Sequence, residues 1–316
     1  MPFDVPILFL VFNRPETTRQ VFQRIKEMQP AKLLIAADGP REGKEGEAEK
    51  CEEVRRLIID GIDWPCQVQT LLRYHNLGCG NAVSTAITWF FDNVAEGIIL
   101  EDDTLPDPSF FPFCKTLLEK YRNDEQVKMI SGNNFQNGKW RGNGSYYFSA
   151  YSHNWGWASW RRTWEEYDFT LDKLDETALE NNMSFYFEDK KVKEYWMQTF
   201  NKLRNGILNT WDVQMLFCTW AKRGLAILPN INLVSNIGFG ESGTHNKNKN
   251  DVQADIPLYS MDEIKHPTEK LLNKKADDYS FREYYAPAKK TLFSFFKRKK
   301  IGMFISFLKH KENHNE

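Results

Sequence analysis

The chain has 316 residues, 41% apolar and 27% charged, the balance of a soluble globular protein and not of a disordered or membrane-spanning one. Its length fits one large domain, or one domain with a small appendage. The net charge of −1 hides an asymmetry. Residues 289 to 311 hold eight of the 42 Lys and Arg and no acid, so 34 basic residues face 43 acidic ones elsewhere, and an acidic body argues against a nucleic-acid binder.

The five cysteines (Cys51, Cys66, Cys79, Cys114 and Cys218) are odd in number and lack metal-binding spacing, which reads as reduced, intracellular thiols. The first fifteen residues have no basic segment and only a short apolar run. They predict neither a signal peptide nor a membrane span but a buried strand.

That strand is Ile7–Phe12, broken by Asn13-Arg14-Pro15. A helix over Glu16–Met28 then places Val21, Phe22, Ile25 and Met28 on one face. Lys32–Ala37 reads as a strand closed by Asp38-Gly39-Pro40, Glu45–Ile59 as a charged helix, and Val68–Tyr74 as a third strand. The turn His75–Gly80 leads to a helix over Asn81–Val94. A fourth strand, Gly97–Leu100, runs into Glu101-Asp102-Asp103, followed by a helix over Pro108–Arg122 and a strand over Val127–Ser131. Alternating strands and amphipathic helices predict a mainly parallel sheet covered on both faces.

Beyond Gly132 the regularity fades. Asn133–Gly144 reads as a loop, Glu176–Leu203 as helical, Thr210–Arg223 as a shorter helix, Leu225–Val234 as strand-like and Ser235–Asn250 as flexible in composition. The economical division is a catalytic domain over residues 1–285, its nucleotide-sugar half ending near 131, and a basic tail over 286–316.

In an open α/β sheet, ligands sit at the carboxyl ends of the strands. Polar clusters fall at four such ends: Asn13-Arg14, Asp38, His75-Asn76 and Glu101-Asp102-Asp103. Three adjacent carboxylates repel one another, and a divalent Mg²⁺ or Mn²⁺ shared with substrate phosphates relieves the repulsion. The plain alternative is a solvated turn or a helix N-cap.

Val11-Phe12-Asn13-Arg14-Pro15-Glu16, Ala37-Asp38-Gly39, a strand ending in Glu101-Asp102-Asp103, and Asp107-Pro108-Ser109-Phe110-Phe111 together resemble the nucleotide-sugar domain of GT-A glycosyltransferases. The match is to the family of the Golgi N-acetylglucosaminyltransferase that begins hybrid N-glycans and to bacterial family-2-like enzymes, and covers roughly residues 5 to 115. The resemblance implies a GT-A, Rossmann-like fold and transfer from a nucleotide-diphosphate sugar, a UDP-sugar favoured, with inversion. Phe12, Asn13 and Arg14 would line the nucleotide site, Arg14 facing base or phosphates, and Asp38 would bond uracil or ribose. Asp103 would ligate the metal, with Asp102 near ribose or sugar and Glu101 supporting.

An inverting transfer needs a base for the acceptor hydroxyl. Asp212, opening a helix as the base of the resembling families does, is the first choice and Glu241 the second; a helix-capping role would equally explain Asp212. His245, in a glycine-rich segment, is a candidate further ligand for the metal. The run Ser152–Trp160 suits an acceptor-sugar platform or a core. In the tail, Leu292, Phe295, Phe296, Ile301, Phe304, Ile305 and Leu308 fall at helical spacing beside Lys297–Lys300. That pattern fits peripheral contact with an anionic membrane and a lipid-linked or glycan acceptor at the inner leaflet of a cytoplasmic enzyme, in bacterial surface-polysaccharide synthesis. Two other readings stay open. A sugar-phosphate nucleotidyltransferase would need a glycine-rich first turn that Asn13-Arg14-Pro15-Glu16 lacks; a non-catalytic sugar- or membrane-binding protein would not need three acids at a strand end.

Overall fold

In the computed structural model, residues 2–239 and 256–286 are described. Strand β1 (Ile7–Val11) leads into helix α1 (Pro15–Met28), then β2 (Lys32–Ala37), α2 (Glu47–Gly61), β3 (Gln67–Leu72), α3 (Cys79–Asn93) and β4 (Glu96–Glu101). The short β5 (Thr104–Pro106) and α4 (Phe110–Lys120) precede β6 (Val127–Ser131), β7 (Tyr146–Ser149), β8 (Trp157–Trp160) and α5 (Arg161–Trp164). There follow α6 (Glu176–Met183), α7 (Lys190–Arg204), α8 (Asp212–Ala221), β9 (Leu225–Pro229) and β10 (Val234–Asn236). Last come α9 (Lys274–Ser280) and a π-helical turn, Phe281–Tyr285.

One eight-stranded sheet has the order β3-β2-β1-β4-β8-β6-β9-β7, and β10 pairs with β5 in a separate ribbon. β3, β2, β1 and β4 are mutually parallel. β8 runs against both of its neighbours, β4 and β6, so those two point the same way. Their carboxyl ends therefore share one edge of the sheet with those of β1 and β2. The α/β architecture expected from the alternating pattern is the one observed.

Burial explains the pattern. β1 and β6 are buried throughout, and β2 and β4 nearly so, because both faces of the sheet are covered. β3 stands at the rim and exposes Val68 and Leu72. Pro15 opens α1, where its fixed φ suits the first turn and its missing N–H is no loss.

Two expected elements are split. Glu176–Leu203 becomes two helices, each with its own aspartate cap: Asp175 accepts from the Ala178 N–H and Asp189 from the Lys191 N–H. Leu225–Val234 becomes β9 and β10 because Pro229 ends the first strand and the chain crosses to pair with β5. Met1–Ala276 forms one compact unit and Asp277–Glu316 a second. The expected basic amphipathic helix of the tail lies outside the described residues. Among those described, no helix is long and apolar enough to cross a membrane.

Candidate functional site

The corner after β4 is tied by a side chain of its own. The Thr104 hydroxyl accepts the Glu101 N–H at 2.9 Å and donates to the Glu101 carbonyl at 3.0 Å. Asp102 and Asp103 are thereby held at the carboxyl edge. Asp102 turns to β1, accepting the Phe12 N–H at 3.0 Å. Arg14, at the start of α1, reaches across to both acids, 3.2 Å from Asp102 and 2.5 Å from Asp103. The ends of two adjacent strands thus form one charged cluster.

Burial pushes the Asp102 carboxyl up to about 7, against the pull of Arg14 and the Phe12 N–H. Glu101 is raised well above the carboxylate range by burial and then by Asp103, Asp102 and Asp212. That last contribution is informative, because Asp212 lies more than a hundred positions along the chain. It stands in the first turn of α8, held by the Thr210 hydroxyl and by the Val213 N–H at 3.0 Å. Stacking of Trp211 on Trp157, with ring centres 5.9 Å apart, fixes the start of α8 against β8, the strand beside β4. Cys79 at the start of α3 feels Glu101, Asp212 and Asp103 as well, its thiol pushed up to about 12 chiefly by burial.

On the other flank, Asn13 donates to Glu47 at 2.9 Å, Glu47 binds Arg41, and the Arg41 guanidinium lies 5.6 Å from the centre of the Phe12 ring. Asp38 is spoken for within the fold. Its carboxylate accepts the Gly39 N–H, the Leu77 N–H and the Asn76 amide at 2.9–3.1 Å, which pins the loop after β3 to the end of β2. His75 is exposed, and its backbone packs so closely on Gly39 that a Cβ there would lie 2.4 Å from it.

The tryptophan run divides. Trp157, Trp160 and Trp164 are core, whereas Trp155 is half-buried and meets Phe135 and Phe239 edge-on at 5.1 and 5.7 Å. Glu241 and His245 lie outside the described residues.

Arg41, Glu47 and Gly238 join the site without having stood out in the sequence. Of these only Gly238 had a visible signal, the Gly-x-Gly stretch Gly238-Phe239-Gly240. A Cβ at Gly238 would come within 2.3 Å of Asp103 Oδ2, so the backbone forms a close cradle for that carboxylate. Among the described residues no group of three His, Cys, Asp or Glu is placed to hold a metal ion. Asp102 and Asp103 put hard carboxylate oxygens at this edge, both paired with Arg14.

No family model and no curated protein matches the chain. Solved structures with partial likeness include HddC from Yersinia pseudotuberculosis, 11% identical over 54% of this chain and 86% of its own, TM-score 0.33. Mouse xyloside xylosyltransferase 1, apo form, is 11% identical over 68% and 81%, TM-score 0.33. An apo UDP-glucose pyrophosphorylase is 12% identical over 72% and 90%, TM-score 0.36. Likeness of this size gives no residue of this chain a role. Fold and site together define a Rossmann-like α/β protein with an acidic centre at the carboxyl edge of its sheet.

Proposed function

We propose that the chain is a GT-A glycosyltransferase that moves a sugar from a nucleotide-diphosphate donor, preferably a UDP-sugar, to a glycan or lipid-linked acceptor, with inversion. The observation that carries this reading is the convergence of Asp102, Asp103, Arg14 and Asp212 at one strand edge. Phe12 and Asn13 border the nucleoside, and Asp38, His75 and Asn76 shape the loop behind it. Mn²⁺ or Mg²⁺ at Asp103 would neutralise the charge that develops on the leaving diphosphate. Arg14 supplies a second positive charge beside the same oxygens. Asp212 takes the proton of the attacking acceptor hydroxyl, oriented by the Thr210 hydroxyl and the Val213 N–H. The basic tail, residues 286–316, would hold the enzyme at an anionic membrane carrying the acceptor.

Calorimetric titration of UDP with and without Mn²⁺, on the intact chain and on Asp103→Ala, tests the donor site. The expected result is metal-dependent binding lost in the variant. If no nucleoside diphosphate binds under either condition, the reading fails. A nucleotidyltransferase would instead release pyrophosphate from a nucleoside triphosphate and a sugar phosphate, which a pyrophosphate assay on the same sample detects.

A further inference from the structure

Buried polar atoms almost always find a hydrogen-bond partner, so a side chain that lacks one within the chain is completed by water or by a group from outside it. Asn133 is completely buried, and neither its amide oxygen nor its amide nitrogen is hydrogen-bonded. His153 is 3% exposed, and neither ring nitrogen is hydrogen-bonded. The two are neighbours: the Asn133 main chain lies close enough to favour a charged ring, without meeting hydrogen-bond geometry.

A loosely fitted loop would not explain them, because the backbone around both is pinned. His153 N–H donates to Ser131 Oγ at 3.0 Å, Gly132 N–H to the Gly156 carbonyl at 2.7 Å, and Asn134 N–H to Asn232 Oδ1 at 2.9 Å.

Their place in the fold points to the same edge as the acids. Asn133 follows β6 as Asp102 follows β4, and only β8 separates those parallel strands. Two strand spacings put it about 10 Å from the acidic corner, roughly one sugar ring beyond the reacting centre. Aromatic rings bridge that span. Phe135 lies 4.5 Å from the His153 ring and 5.1 Å from Trp155, and Trp155 lies 5.7 Å from Phe239. Phe239 follows Gly238, the residue that cradles Asp103.

The chemistry selects the ligand. A buried imidazole stays neutral, and beside an amide it offers donors and acceptors but no charge. Such a pair suits a neutral group that both donates and accepts, bounded by rings that suit the apolar face of a pyranose. We propose that Asn133 and His153 form an acceptor-sugar subsite, reading a hydroxyl or acetamido group of a neutral sugar that rests against Trp155 and Phe239. The inference rests on the transferase reading, which it deepens by naming the acceptor class.

The test uses the full chain and methyl glycosides of glucose, galactose, mannose and their N-acetylamino counterparts, with UDP and Mn²⁺ present. Saturation-transfer NMR reads sugar binding, and ¹⁵N-histidine spectra read the His153 ring in the unaltered protein. At least one glycoside is expected to bind and shift the His153 ring nitrogens. Its affinity should fall about tenfold or more in both His153→Phe and Asn133→Leu, as loss of a recognised hydroxyl contact implies. Should no glycoside bind, or one bind without moving the His153 resonances, the subsite is overturned whether or not the variants fold. UDP titration of the same samples is read separately. Intact UDP binding with failed sugar binding sinks only this inference; sugar binding at His153 with no UDP binding sinks the transferase reading and leaves the subsite.

Discussion

Arg14 lies 2.5 Å from Asp103 and 3.2 Å from Asp102, so the acidic pair carries a counter-ion supplied by the chain itself. All three side chains are largely buried, at 14% exposure or less. Removing one partner therefore costs more than at an exposed pair, and under the proposed reading a divalent cation would compete with the guanidinium for Asp103.

Arg14→Met should accordingly bind Mn²⁺ alone more tightly than the unaltered chain, by about tenfold, because two adjacent carboxylates lose their resident cation. The same variant should be less stable without metal by about 3 kcal/mol and recover part of this on adding Mn²⁺. Mn²⁺ titration followed by electron paramagnetic resonance, with urea unfolding in parallel, measures both. Equal or weaker Mn²⁺ binding in the variant would rule out the competition.

Gly238→Ala places a methyl group 2.3 Å from Asp103 Oδ2. The carboxylate must move, because the added atom belongs to backbone fixed by the Ile237 N–H to the Asp103 carbonyl at 2.8 Å. Metal-dependent UDP affinity should fall about tenfold while the melting temperature changes little. Unchanged affinity would show that the Asp103 carboxylate does not contact the metal in this position.

Asp212→Asn keeps the shape of the side chain and removes its basicity. Turnover should fall by about 10²–10⁴, with the UDP dissociation constant held within about twofold since binding does not require the base. A parallel loss of UDP affinity would instead mark Asp212 as part of the donor pocket.

His153 gives a pH signature in stability. Burial pulls its pKa down to about 4, against an ordinary value of 6.5. The unfolded chain therefore binds the proton more readily. The stabilisation is fully present above pH 6.5 and is lost as pH falls from there towards 4. The difference amounts to about 3 kcal/mol for the whole span. Urea unfolding of the unaltered chain and His153→Phe at pH 7.5, 5.5 and 4.5 should show the former losing stability faster on acidification. Parallel pH profiles would mean that the ring takes up its proton as readily in the folded state as in the unfolded one.

The first half of the sheet could be read almost residue by residue, because strands buried on both faces are continuous apolar runs. Lys32–Ala37 and Val127–Ser131 fall where expected. The second half could not. Tyr146–Ser149 and Trp157–Trp160 pair with strands far from them in sequence, and an aromatic-rich stretch has no period that tells strand from loop. The acidic corner was visible from local order, a strand followed by three acids. Glu47 and Arg41 were not, since their relation to Asn13 and Phe12 exists only once α2 packs beside the end of β1. Asp38 stands at a strand end as read, and its bonds to Gly39, Leu77 and Asn76, which tie the loop after β3 to that end, could not be read from local order.

The reversal of β8 also bears on how such a protein could diversify. Because this strand runs against its neighbours, it offers the shared edge only its entry, Trp155-Gly156, and no exit loop. The corners after β1, β2 and β4 on one side, and after β6 on the other, are thus separated by a seam that the chain crosses where β10 pairs with β5. Under the proposed reading, donor chemistry and acceptor preference stand on opposite sides of that seam. Grafting the 132–144 and 150–156 loops from a relative should redirect which glycan is extended while leaving the nucleotide requirement untouched.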